Sequence, residues 1–136
     1  MYELPNQPTA DDITRALLLH RAWLSDTPGG LQADFTKCEA PRADFRGADL
    51  RDAIFFGANL TGADFSGANL SGADFRDADL THANFTGANL NSTTFDGADL
   101  TNANFTGANL EYSDYRYARS IEGVILTDAN LNHTDF

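Results

Sequence analysis

The residue types that carry out chemistry are few in this chain and poorly spaced for it. His20, His82 and His133 lie far apart, and no Cys or carboxylate sits near them at metal-ligand spacing. Carboxylate pairs such as Asp77 and Asp79 arise from a repeated sequence pattern, and nothing around them suggests the shifted acidity that proton transfer needs. Phosphate loops, nucleophile elbows and redox motifs are absent. We therefore expect no catalytic residue, no metal site and no cofactor, and a chain that is not an enzyme. What remains is recognition by charge: 20 Asp and Glu stand against 9 Lys and Arg, a net of -11.

The element that positions those charges is visible in the same residues. Ala43-Asp44-Phe45-Arg46-Gly47, Ala58-Asn59-Leu60-Thr61-Gly62 and Ala63-Asp64-Phe65-Ser66-Gly67 are copies of one Ala-(Asp/Asn)-(Leu/Phe)-x-x unit. A period of five fits neither the 3.6 of a helix nor the 2 of a half-buried strand, so stacked repeats have to be considered first. One unit cannot bury its Phe or Leu, but a parallel β-solenoid can, with every central residue pointing to a common axis and the Asp or Asn beside it pointing to solvent. Phe at 45, 55, 65, 75, 85, 95 and 105 alternates with Leu at 50, 60, 70, 80, 90, 100 and 110. Like residues then stack only when each turn holds an even number of units. Four units give a square coil of twenty residues, with Phe55, Phe75 and Phe95 in one column, Phe45, Phe65, Phe85 and Phe105 in the opposite one, and Leu columns on the other two sides. Ala lines the close approaches of backbone, and Gly at positions such as 62, 72 and 97 supplies a corner with positive φ.

On these residues the chain resembles the pentapeptide repeat family, over roughly positions 33–136. The resemblance implies an all-β fold, a right-handed quadrilateral parallel β-helix of about five coils. The organisation expected is a segment 1–30 carrying a short capping helix, followed by the solenoid over 31–136. Two breaks in register stand out. Cys38-Glu39-Ala40-Pro41-Arg42 offers only Ala40 at its centre, which predicts a loosely filled first coil. After Tyr115 the central residues become Ile121, Leu126, Leu131 and Phe136, so one extra residue lies between Arg116 and Ser120, in a bulge or corner loop. The rod would be on the order of 24 Å long at a coil spacing of about 4.8 Å.

Open solenoid ends need covering. Thr9-Ala10-Asp11-Asp12 reads as a helix start, and Ile13, Ala16, Leu17, His20, Trp23 and Leu24 share one helical face. Residues 10–25 are expected to form a helix whose Trp23 stripe lids the first coil; a docking helix is the alternative. The stretch from His20 through Trp23-Leu24 and Gly29-Gly30 to Ala33-Asp34 is similar to the preludes of pentapeptide repeat proteins of phage and prophage. At the other end Leu131 and Phe136 have nothing after them. Two rods are expected to meet there as a twofold dimer, an association the resemblance also implies, with Tyr112, Tyr115 and Tyr117 lining the contact or else replacing Phe in a frayed coil.

No apolar stretch is long enough to span a membrane, the start Met1-Tyr2-Glu3 is not that of a signal peptide, and the single Cys38 suits a reducing compartment, so a cytoplasmic protein is expected. The charge is concentrated. From 52 to 111 the acids are Asp52, Asp64, Asp74, Asp77, Asp79, Asp96, Asp99 and Glu111 and the base is Arg76, eight against one, a net of -7. Asp74, Asp77 and Asp96 fall on one side of the square and Asp79 and Asp99 on the next, making a negative corner. Such a body repels phosphates and is not expected to bind nucleic acid itself. It can present a duplex-like field to a protein that grips DNA, and a dimer of about 50 Å matches about fifteen base pairs at 3.4 Å each. The resemblance implies the same role: quinolone-resistance members of the family bind DNA gyrase as DNA mimics, although the projecting loops of part of that group have no counterpart here. A phage-defence complex such as a CRISPR effector is a second target of this kind, and surface Asp that merely keeps a solenoid soluble is the plain alternative. Ile54 and Phe56 break the repeat by placing apolar residues on its outer side, which marks either a partner-binding patch or packing under the N-terminal segment. Thr61, Thr81 and Thr101 form one ladder and Thr86 and Thr106 another, interrupted by Ser66 and without the paired columns of an ice-binding surface.

Overall fold

A computed structural model of the chain describes residues 3–135. Phe136, expected in the last column and in a dimer contact, lies outside them. The repeat winds as the five-residue period requires. Parallel bridges join Asp34 to Ile54, Ile54 to Asp74 and Asp74 to Thr94, and likewise around the coil, so each residue pairs with the one twenty positions on and four units close a turn. The bridges are isolated single pairs, and no longer strand forms among the described residues. The reason is local: only the residue before each central Phe or Leu is extended enough to pair, because a turn follows immediately. That turn closes with a hydrogen bond from the first residue of the next unit to the central carbonyl, as from Ala58 N–H to Phe55 O at 3.1 Å.

Four faces result. The first has Phe35, Phe55, Phe75, Phe95 and Tyr115 at its centres, the second Ala40, Leu60, Leu80, Leu100 and Ile121, the third Phe45, Phe65, Phe85, Phe105 and Leu126, and the fourth Leu50, Leu70, Leu90, Leu110 and Leu131. Rings within a column stack nearly parallel, Phe55 on Phe75 at 4.7 Å and Phe65 on Phe85 at 5.0 Å between centroids. Rings of opposite columns meet edge to face, Phe65 against Phe75 at 85°. Both are the arrangements aromatic quadrupoles prefer, which explains why two opposite sides are Phe and the remaining two Leu.

The corner residue two places after each centre takes positive φ, and this is not reserved for glycine. Asp52, Asp77, His82, Ser92, Asn102 and Tyr112 adopt it alongside Gly62, Gly72 and Gly97. Gly97 has a second reason to lack a side chain, since a Cβ there would run into the Asp77 carboxylate of the coil before. The extra residue near the end is a bulge, as expected. Arg119 N–H donates to Ala98 O and Ser120 O accepts from Leu100 N–H, so two residues oppose Asp99, and later bridges run at twenty-one residues.

Helix α1, Ala10–Leu24, covers the first coil. Thr9 and Asp12 cap it reciprocally: Asp12 N–H donates to Thr9 Oγ1 and Thr9 N–H to the Asp12 carboxylate. The lid is carried by Ile13, Ala16 and His20, which are buried, whereas Trp23 is half-buried at the edge and stacks on His20. The expected stripe thus meets the coil end through its middle turns, Ile13, Ala16 and His20, and Trp23 reaches the lid only through its stack on His20. Where Ala40 leaves the first coil short of a large centre, an open groove of about 500 Å³ remains beside Ile13, Leu17 and Pro41. At the far end Ile121 is 55% exposed although it occupies a central position, since no coil among the described residues lies beneath it.

Candidate functional site

The repeat uses Asp and Asn for one backbone task. In most units the residue before the centre turns its side-chain oxygen back to accept the N–H two residues on, from Thr81 to Asp79 at 3.0 Å, from Thr101 to Asp99 at 3.0 Å, and in the same way from Thr86 to Asn84 and Thr106 to Asn104; Ile54 and Ile125 hold the position without an oxygen. An amide serves as well as a carboxylate. These side chains are half-buried rather than pointing freely to solvent. Asp64, Asp74, Asp79 and Asp99 occupy this position. Asp52, Asp77, Asp96 and Glu111 do not, so the solenoid makes no such demand for their charge.

Asp77 and Asp96 are exposed on adjacent coils at the corner between the first and second faces, joined by a hydrogen bond from Asp77 N–H to Asp96 O at 2.9 Å. Asp79 and Asp99, bridged to each other, lie just beyond on the second face. Four carboxylates thus converge on two neighbouring coils. Asp74, expected in the same corner, is neutralised: Arg76 Nε and Nη2 form a two-point ion pair with it at 2.9 and 2.7 Å. Burial opposes ionisation of Asp74, but the Arg76 side chain and backbone N–H outweigh it and hold the carboxyl below its usual range. Asp99 is likewise lowered, by the Thr101 hydroxyl first and its N–H second. Asp44-Phe45-Arg46, Asp49-Leu50-Arg51 and Asp114-Tyr115-Arg116 repeat the pair of Asp74 and Arg76, with Asp44 held at about 2 by Arg46. The Asp-x-Arg spacing was the available signal, because within a unit it sets both side chains on one outer surface.

Arg76 also links two surfaces that the sequence left separate. Its guanidinium lies 5.7 Å from the centre of the Phe56 ring and within the field of Asp96 and Asp77, and Ile54 is bridged to Asp74. Ile54 and Phe56 are half-buried, not fully exposed as expected, and they adjoin the acidic corner. The rest of the expected acidic surface is dispersed. Asp64 faces out from the third side, and Glu111 and Asp52 from the corner between the fourth and first.

Of the residues expected at a C-terminal contact, Tyr115 is core: it stacks on Phe95 at 4.7 Å, and burial pushes its hydroxyl up. Tyr117 is 69% exposed, Leu131 is partly exposed, and Tyr112 stands out from its corner stacked on His133 at 4.9 Å. Among the described residues no three of His, Cys, Asp and Glu converge as metal ligands, and no helix is long and apolar enough to cross a membrane.

A parallel solenoid with twenty-residue coils built on five-residue units defines the class. The pentapeptide repeat region model matches residues 32–105, more than half of the chain, and the chain belongs to the pentapeptide repeat family, whose fold is a right-handed β-helix. Among solved structures, a pentapeptide repeat protein from Nostoc PCC 7120 is similar over 79% of this chain and 92% of its own, at 24% identity and a TM-score of 0.56. HetL from Nostoc sp. strain PCC 7120, a pentapeptide repeat protein involved in regulating heterocyst differentiation, matches at 26% identity over 76% of this chain, with a TM-score of 0.45. QnrB1, a plasmid-mediated fluoroquinolone resistance protein, matches at 20% identity over 74%, with a TM-score of 0.40. The chain spans little more than half of HetL and QnrB1, 53% and 55%. No curated protein matches the sequence.

Proposed function

We propose that this chain is a non-enzymatic binding rod whose acidic corner stands in for double-stranded DNA toward a DNA-binding enzyme or complex, DNA gyrase or another topoisomerase, or a phage-defence complex such as a CRISPR effector. The observation that carries the reading is the position of Asp77 and Asp96. Both lie off the position where the repeat needs a side-chain oxygen, both are exposed, and together with Asp79 and Asp99 they place carboxylates at coil intervals along one edge. Carboxylates on two neighbouring coils, about 4.8 Å apart along a narrow rod, offer a partner's Lys and Arg side chains a short cluster of anions in place of phosphates. Two rods joined through the exposed Ile121 and Leu131 faces, with Tyr112 and Tyr117 at the rim, would present two such clusters to one partner.

A second reading draws on Phe56 and Arg76. An apolar ring under a guanidinium, beside Ile54 and rimmed by carboxylates, has the make-up of a protein-protein contact with no DNA mimicry. Purified rod is tested as an inhibitor of gyrase supercoiling and as bait for host DNA-binding complexes, with and without competing duplex. Mimicry predicts displacement by duplex, a steep loss of binding between about 50 and about 200 mM salt, and loss on Asp77→Lys with Asp96→Lys. A partner indifferent to duplex and lost on Ile54→Ser with Phe56→Ser supports the second reading and overturns the first.

A further inference from the structure

Each unit of the solenoid begins with the same hydrogen bond. The N–H of its first residue donates to the central carbonyl of the unit before: Cys38 to Phe35 at 3.0 Å, Ala43 to Ala40 at 3.2 Å, Ala48 to Phe45 at 3.1 Å. Ala33 opens the first unit and has no unit before it. A buried N–H left without an acceptor is costly. Helix α1 supplies the acceptor. Ala33 N–H donates to Nδ1 of His20 at 3.0 Å, in a fully buried contact.

An imidazole nitrogen accepts a hydrogen bond only while it carries no proton, so His20 is neutral here with its proton on Nε2. Nε2 is itself buried and has no hydrogen-bond partner among the described residues. Trp23 stacks on the ring from the same helix, at 5.4 Å and 17°. The charged groups facing it from the first coil are Asp49, Asp52 and Arg51, of which Asp49 and Arg51 are already paired with each other, and the Arg51 carbonyl faces the ring as well. Burial lowers the His20 pKa from its ordinary 6.5, against the pull of that carbonyl and the two carboxylates.

We propose that His20 is a proton-operated latch: neutral, it caps the first N–H of the solenoid and holds α1 across the coil end, and a proton taken up at Nδ1 turns the acceptor into a donor facing another donor, so that α1 releases. Nothing else on the helix can replace the bond, since Ile13 and Ala16, the other buried residues of the lid, are apolar. Release uncovers Phe35 and leaves the first coil open to solvent. The sign follows from the linkage. A base held neutral on docking favours the closed lid above the ordinary pKa of about 6.5, and this contribution is lost as the pH falls below that value toward the lower docked-state pKa. At pH 5 the closed population can fall by at most about thirtyfold relative to the open one, the limit set by the ordinary pKa of the released ring.

The test uses the full chain. The His20 ring is titrated by NMR, and amide protection factors, corrected for intrinsic exchange, are measured at pH 7.5 and pH 5 for α1 and Ala33 against the middle coils. The expected result is a ring that titrates below 6.5, a roughly tenfold to thirtyfold loss of protection confined to α1 and Ala33, and the loss of that pH dependence in His20→Gln, whose amide oxygen can accept at every pH. A ring titrating at or above 6.5 overturns the latch, even if His20→Gln fails to fold. So does unchanged protection of α1 at pH 5, or the same pH dependence surviving in a folded His20→Gln, which would assign the effect to neighbouring carboxylates.

Discussion

The fourth face and the corner between the first and second faces share one backbone and carry opposite surfaces. On the fourth face Asn69, Asn89, Asn109 and Asn130 hand an amide hydrogen from coil to coil, at 3.2, 3.3 and 3.0 Å. Each step is neutral and satisfies its neighbours. At the corner the same coils present Asp77, Asp79, Asp96 and Asp99, which can accept hydrogen bonds but cannot donate one to each other. The difference teaches that where the solenoid uses a side-chain oxygen before a central residue it is indifferent to its charge, and that Ile54 and Ile125 hold the same place with none. Carboxylates at the corner are therefore an addition to the fold, one that the neutral ladder does without.

The comparison is broken first by removing what both surfaces stand on. Phe75→Ala deletes a ring that stacks on Phe55 and Phe95 and meets Phe65 and Phe85 edge-on. It is expected to cost about 3–5 kcal/mol in urea unfolding, without regard to face. A smaller effect sharpens the contrast: Asp79→Ala leaves the Thr81 N–H without its acceptor and costs about 1 kcal/mol, whereas Asp79→Asn keeps the bond and leaves the unfolding midpoint within about 0.3 kcal/mol of the parent. Equal losses for the two variants would mean that the charge itself is structural.

Smaller still is the combined Asp77→Asn and Asp96→Asn change. It should leave stability unchanged or raise it by up to about 0.5 kcal/mol in thermal unfolding, because it relieves repulsion without removing a side-chain bond the fold uses. Binding of a duplex-displaceable partner should nonetheless be lost. Acid titration separates the surfaces in another way. Asp74 and Asp99 have lowered folded-state pKa values, so their contribution is present above about pH 4 and lost as the pH falls through those values, while the Asn ladder does not titrate. In Asp74→Asn with Asp99→Asn the slope of stability against pH below about 4 should flatten. Last, Arg76→Gln breaks an exposed pair and should change stability by no more than about 0.5 kcal/mol, while freeing the Asp74 carboxylate and strengthening the corner as an anion array.

Much of this architecture is legible along the chain. The alternation of Phe and Leu predicts columns that the ring stacking realises, and the single-residue shift after Tyr115 predicts a bulge that falls at Arg119 and Ser120. The corner glycines mark positive φ, though the sequence hides that Asp77, His82 and Tyr112 share it, because in a stacked coil the neighbouring turns enforce that conformation on any residue. The candidate site was legible only in part. The corner acids were in view, but grouping eight acids as one surface ignored that Asp64 and Glu111 leave the rod on other sides.

The five-residue period by itself determined the twenty-residue coil, the identity of the buried column residues and the place where the register slips, since each depends on spacing within and between consecutive units. Only the tertiary structure decided that Arg76 covers Phe56, that Tyr115 is core and not contact surface, and that His20 completes the first turn of the solenoid. Those outcomes depend on which residues meet across coils or between α1 and the first coil, and on how much water remains where they meet, and neither quantity is encoded in the spacing of residues along the chain.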